Sequence, residues 1–168
     1  MQPTILAFGD SNTHGTPPMT SHDHHPRHAR RWPIVMAEHL DCTLIEDGLP
    51  GRTACPVVAT SPDVHLDGHL GLRMALHTHG PIDRLLIMLG TNDLQCQYGK
   101  TVDGIVAGLG GLLKYAHDAA IQDIHHGFAI TVICPPPIEE VGTFVPGLYG
   151  GQAISRALPQ ALEPLVRA

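Results

Sequence analysis

Thr4-Ile5-Leu6-Ala7-Phe8-Gly9-Asp10-Ser11-Asn12 is the stretch on which the fold turns. Thr4 to Phe8 is short and apolar on consecutive positions, the pattern of a strand covered on both faces of a parallel sheet, and the chain then breaks into a turn. Three further runs repeat the pattern: Thr43 to Ile45, Leu85 to Leu89 and Phe128 to Ile133. Helical periodicity fills the intervals. Arg31 to Leu40 places Trp32, Val35, Met36 and His39 or Leu40 on one side, and Val102 to Ala120 carries Ile105, Val106, Leu109, Leu112, Leu113 and Ala116 at helical spacing. A third helix is expected over Gln152 to Val166, although Pro159 and Pro164 weigh against it. This alternation predicts a single domain over residues 1–168 of the three-layer α/β/α class, a flavodoxin-like parallel sheet with right-handed crossovers.

Composition narrows the function. The 168 residues are 43% hydrophobic, enough for one sizeable core. Ten Lys and Arg against 16 Asp and Glu leave a formal charge of −6 with His neutral, so no positive field attracts nucleic acid. Cys42, Cys55, Cys96 and Cys134 are widely spaced without a CxxC pair and read as reduced thiols. No signal-peptide pattern follows Met1, and Gly, Pro, Asp or His interrupts every apolar run before a bilayer span, so the expectation is a cytoplasmic protein with no membrane role. The loops Gly15 to His28 and Gly51 to Gly71 are long, and loops of such length usually serve a function or are disordered.

Ligands of open parallel sheets bind outside the carboxyl ends of the strands, where strand order reverses. Three segments stand there: Gly9-Asp10-Ser11-Asn12, Gly48-Leu49-Pro50-Gly51-Arg52 and Gly90-Thr91-Asn92-Asp93. Their chemistry suits acyl transfer. Ser11 at a strand-to-helix turn is a candidate nucleophile, with helix N–H groups behind it. The Gly51 N–H and the Asn92 amide are candidate donors to an oxyanion. Any one segment alone reads equally as helix capping or a turn, and it is their joint placement at three strand ends that points to a site.

The chain resembles the SGNH (GDSL-type) hydrolases, and within them the small bacterial arylesterase and acyltransferase branch. The resemblance rests on Phe8 to Gly15, Glu46 to Thr53, Met88 to Asp93 and the Pro135-Pro136-Pro137 turn, which cover essentially the whole chain in the family's order. It implies Ser11 as nucleophile, and an oxyanion hole from its own N–H, the Gly51 N–H and the Asn92 amide, with Asp10 and Asp93 in support. The implied reaction is hydrolysis of a small carboxylic ester through an acyl-enzyme, with water or an alcohol as acceptor and no cofactor. Asn12 and His14 stand where this branch often has Leu and an aromatic residue, and with Arg52 they are candidate pocket residues. Arg52 is also placed to pair with Glu46 or Asp47.

The family's Asp-x-x-His near the carboxyl end, source of the general base and its orienting acid, has no counterpart here. Residues 1–168 are therefore expected to be incomplete, lacking a fifth strand, and a chain of roughly 190 to 200 residues to be the competent unit. Asp123-Ile124-His125-His126 is the literal match, but it precedes the fourth strand and so falls at the wrong end of the sheet. His14 reads as a pocket wall. His22-Asp23-His24-His25-Pro26-Arg27-His28 contains metal-ligand types without a recognisable ligand spacing, and no physiological metal is expected. Self-association through the uncovered sheet edge is expected. The alternative to an esterase is a binding or assembly module that keeps the oxyanion crevice without a base.

Overall fold

The computed structural model describes residues 2–17, 27–99, 101–142 and 145–167. β1 (Thr4–Gly9), β2 (Thr43–Gly48), β3 (Arg84–Met88) and β4 (Ala129–Val132) form one parallel sheet in the order β2-β1-β3-β4. The order reverses at β1, so the crevice between the carboxyl ends of β1 and β3 is the place where this topology receives ligands. β2 runs to Gly48, beyond the apolar run, because Glu46 and Asp47 continue the ladder opposite Ala7 and Phe8. An edge strand tolerates such charges, since only one of its sides is paired.

Seven helices complete the described chain: α1 (Ser11–His14), α2 (Trp32–Leu40), α3 (Gly68–Thr78), α4 (Val102–Ala116), α5 (Ala119–Ile124), α6 (Val145–Leu148) and α7 (Gly151–Arg167). Two departures from the sequence reading stand out, and the third helix holds despite its prolines. The expected helix Val102 to Ala120 is two, because Asp118 takes the Ala120 N–H on its carboxylate at 3.0 Å and starts a new helix there. α3 occupies the end of what reads as the long loop Gly51 to Gly71. Two glycines and two histidines dilute its periodicity, but Asp67 caps it through the His69 and Leu70 N–H groups, and Leu72, Ala75 and Leu76 form its buried stripe. α7 continues through Pro159 and Pro164, with Leu158 and Leu162 buried in the core and the helix packed on α4. Tertiary burial outweighs the local cost of the prolines.

Alternation along the strands divides the interior. Leu6, Phe8, Leu85 and Ile87 join Leu72, Leu76, Ile105, Leu109 and Leu158 in one core between the sheet and α3, α4 and α7. Ile5, Ala7, Leu86 and Met88 alternate with them and are buried on the other face. α1 packs against β1 and β2, and α2 against β2. At Gly108 a Cβ would lie 2.7 Å from the Ala54 carbonyl oxygen, so only glycine lets α4 approach the loop after β2 this closely. No helix among the described residues is long and apolar enough to cross a membrane.

Candidate active site

The end of β1 is locked before it reaches Ser11. Asp10 is fully buried and caps α1, its Oδ1 accepting the Asn12 N–H at 2.8 Å. Its Oδ2 is buried without a hydrogen-bond partner. Burial, aided by repulsion from Asp93, pushes the Asp10 carboxyl up from 3.8 to about 7 against the hydrogen bonds that Asn12 and Thr91 offer it. α1 itself is a single turn. The Asn12 side chain, read from sequence as a pocket candidate, donates through Nδ2 to Thr91 Oγ1 at 3.0 Å. His14 sets its Nδ1 against Thr16 Oγ1 at 2.9 Å.

The loop after β2 crosses the sheet end toward β3. The Leu49 N–H donates to Gly9 O at 3.0 Å and the Arg52 N–H to Leu49 O at 3.1 Å, a turn in which Gly51 has φ +87°. A side chain at that φ is strained, and a Cβ would also press on Leu66. Arg52 is drawn inward. Its guanidinium is buried, donating to Gly9 O at 3.0 Å and to Asp47 O and Oδ1 at 2.6 and 2.8 Å, with its carbon 4.2 Å from the centre of the Phe8 ring. Of the two sequence readings, the pairing with Asp47 is the one present. Glu46 is engaged by Arg31 and Arg27 instead. Burial alone would raise the Glu46 carboxyl, but those two guanidinium groups hold it below the usual range.

The segment after β3 meets this loop. Asn92 is buried, and both ends of its amide are engaged: Nδ2 donates to Arg52 O at 2.9 Å, and Oδ1 accepts from Gln95 Nε2 at 3.0 Å. These bonds orient the amide and leave one Nδ2 hydrogen uncommitted. Asp93, fully buried, accepts the Ala54 and Cys55 N–H groups, each at 2.8 Å. Asp67 acts from the other side, its Oδ2 taking the Val57 N–H at 2.9 Å while its Oδ1 caps α3. Two carboxylates therefore clamp the loop that carries Gly51. Beside the clamp, Thr53, Pro56, Val57, Asp93 and Tyr98 are among the residues lining a cleft of about 240 Å³.

The three strand-end segments are thus joined by direct bonds: Asn12 to Thr91, and Asn92 to the carbonyl of Arg52. Ser11, Asn92 and Gly51 are each one residue from a partner in this chain of contacts. Asp67, Thr91 and Gln95 escape the sequence reading. An Asp immediately before a helix start is the signal that could have found Asp67. Asp123 to His126 lies before β4, at the amino end of the sheet. His125 is buried there, its Nδ1 accepting the Ile82 N–H at 3.3 Å and its Nε2 meeting Leu76 O at 2.9 Å. In the histidine-rich stretch, residues 18–26 lie outside the described residues. His28 donates its N–H to Gly15 O at 2.6 Å, and its Nδ1 accepts from the Arg30 N–H at 3.2 Å. No group of three or more potential ligands that could hold a metal occurs among the described residues.

Comparison with known proteins follows this geometry. Two solved structures with the same fold are the carbohydrate acetylesterase Est24 of Sinorhizobium meliloti and an aryl esterase of M. smegmatis. The first is 30% identical with a TM-score of 0.86, over 99% of this chain and 80% of that one. The second is 31% identical with a TM-score of 0.87, over 98% of this chain and 80% of that one. No curated protein matches. The model of the GDSL-like Lipase/Acylhydrolase family matches residues 7–168. A model that spans nearly the whole chain, on a fold shared with two esterases, places it: the chain belongs to the GDSL-like lipase/acylhydrolase family.

Proposed function

We propose that Ser11 is the nucleophile of an esterase that cleaves small carboxylic esters through an acyl-enzyme. The observation that carries this reading is the Asn92 amide, oriented by Gln95 and the Arg52 carbonyl and left with one hydrogen to give. Attack by Ser11 Oγ on the ester carbonyl turns its oxygen into an oxyanion. The spare Asn92 hydrogen and the N–H groups of Ser11 and Gly51 stabilise that charge. Expulsion of the alcohol leaves an ester on Ser11, which water or a second alcohol resolves, the latter giving acyl transfer. Kinship with an aryl esterase and a carbohydrate acetylesterase supports small esters as the substrate class. The Asp123–His126 pair is not assigned as the general base and its acid, since it precedes β4 at the far end of the sheet. We further propose that copies of the chain associate through the outer edge of β4.

The test is covalent labelling with a fluorophosphonate, followed by mapping of the modified residue, and turnover of an activated aryl ester. Labelling at Ser11, absent in Ser11→Ala, is expected. Asn92→Ala should lower kcat by about 100- to 1,000-fold with KM little changed. A folded sample that labels nowhere would overturn the reading in favour of a binding module.

A further inference from the structure

We propose that Asn12 is a positioning residue whose side-chain amide ties the turn carrying Ser11 to the segment carrying Asn92. The proposal rests on the esterase reading and adds to it a cause for the separation between nucleophile and oxyanion donor. Asn12 is held from both sides. Its backbone N–H is fixed on the buried Asp10 carboxylate at 2.8 Å, and its Nδ2 reaches across from β1's end to Thr91 Oγ1, past β3, at 3.0 Å. The two residues are 79 positions apart in sequence. Nothing in the ladder between β1 and β3 extends this far, since their pairing ends at Gly9 and Met88.

At each end of this bond the functional group is one residue away. Ser11 precedes Asn12 in a turn closed by the His14 N–H on Asp10 O at 2.9 Å and the Gly15 N–H on Ser11 O at 2.9 Å. Asn92 follows Thr91 in a turn closed by the Leu94 N–H on Thr91 O at 3.2 Å. Both turns are rigid locally, so their mutual placement beyond the strand ends depends on contacts between them. Leucine at position 12 would fill the same space without a donor, and valine at position 91 would keep the shape without an acceptor. Such a tie acts on rate more than on binding. Ester binding tolerates small errors in position, whereas attack and oxyanion capture require both groups within a fraction of an ångström.

The experiment is a double-mutant cycle on the full chain with Asn12→Leu, Thr91→Val and the pair, read as kcat and KM on an activated aryl ester and as thermal unfolding. Each single substitution is expected to lower kcat by about tenfold with KM within about twofold. The loss in the double should fall well short of the product of the two single losses, because both remove the Asn12–Thr91 bond even though each also withdraws its own contact with Asp10. Thr91→Ser, which keeps the hydroxyl, should restore most of the rate. Losses that multiply in the double variant, a change in KM alone, or Thr91→Ser as slow as Thr91→Val would overturn the proposal while leaving the esterase reading intact. A folded wild-type chain whose Ser11 neither takes the fluorophosphonate label nor is needed for turnover would overturn both, and the unfolding cycle would then report the bond as structural only. If Asn12→Leu fails to fold, Thr91→Val against Thr91→Ser decides alone.

Discussion

Asp10→Asn should make the stability of this protein less dependent on pH, in a direction that the geometry fixes. The carboxyl is fully buried, one oxygen accepts the Asn12 N–H and the other has no partner. Asparagine keeps the accepting oxygen and removes the charge. In the native state the Asp10 carboxyl titrates near 7, against 3.8 for the unburied group. Below the lower value both the folded and unfolded chains hold the proton and burial carries no ionic penalty. Between the two, the unfolded chain ionises while the folded chain keeps its proton, so wild-type stability falls as pH rises. Above about 7 the deficit is complete, at about 4 kcal/mol. Roughly 3 kcal/mol of it accrues between pH 5 and 8. The new amide leaves a buried N–H group short of a partner, a cost of about 1–3 kcal/mol that does not vary with pH. The quantity to measure is therefore the difference in unfolding free energy between variant and wild type, by urea titration at pH 5, 6, 7 and 8. It should shift toward the variant as pH rises. A difference constant to within about 0.5 kcal/mol would mean that hydrogen bonding keeps Asp10 ionised throughout, and the burial argument would fail.

His125→Leu should destabilise the fold by about 2–4 kcal/mol, because the buried Ile82 N–H and Leu76 C=O lose their partner, yet leave fluorophosphonate labelling of Ser11 unchanged in the folded sample. Lost labelling at unchanged stability would show that the histidine acts in the chemistry. Light scattering should find self-association, since β4 is an edge strand with Ile130 and Val132 only partly buried. A clean monomer at micromolar concentration would refute it.

The central strands were readable because burial on both faces writes an uninterrupted apolar run, as in β1 and β3, and the site segments were readable because each follows such a run. β2 was less visible. Its half beyond Ile45 is polar, and its place in the sheet comes from pairing with Ala7 and Phe8 rather than from its own hydrophobicity. α3 was hidden for a related reason: Gly68 and Gly71 lie where α3 passes close to Thr53 and Arg52, and tight packing selects residues that look like loop. For Arg52 only the pairing with Asp47 could be read locally. Whether a guanidinium points to solvent or stacks on Phe8 is decided by residues 43 or more positions away. Asn12 shows the same limit, since its partner is reached only after the chain has completed β2 and β3.

The bonds that set the polar geometry have a bearing on how such a chain diversifies. Asp10, Asn12, Arg52, Asp67, Thr91, Asn92, Asp93 and Gln95 are linked in one set whose side-chain hydrogen-bond partners among the described residues lie between Gly9 and Gln97. β4, α5 and α7 contribute apolar cover to the same core but no hydrogen bond to that set. Drift and insertion in the second half of the chain can reshape what lies over the crevice while the electrostatics beneath it are inherited unchanged. A chain built this way can alter its later segments without disturbing the bonds that hold the three strand-end segments together.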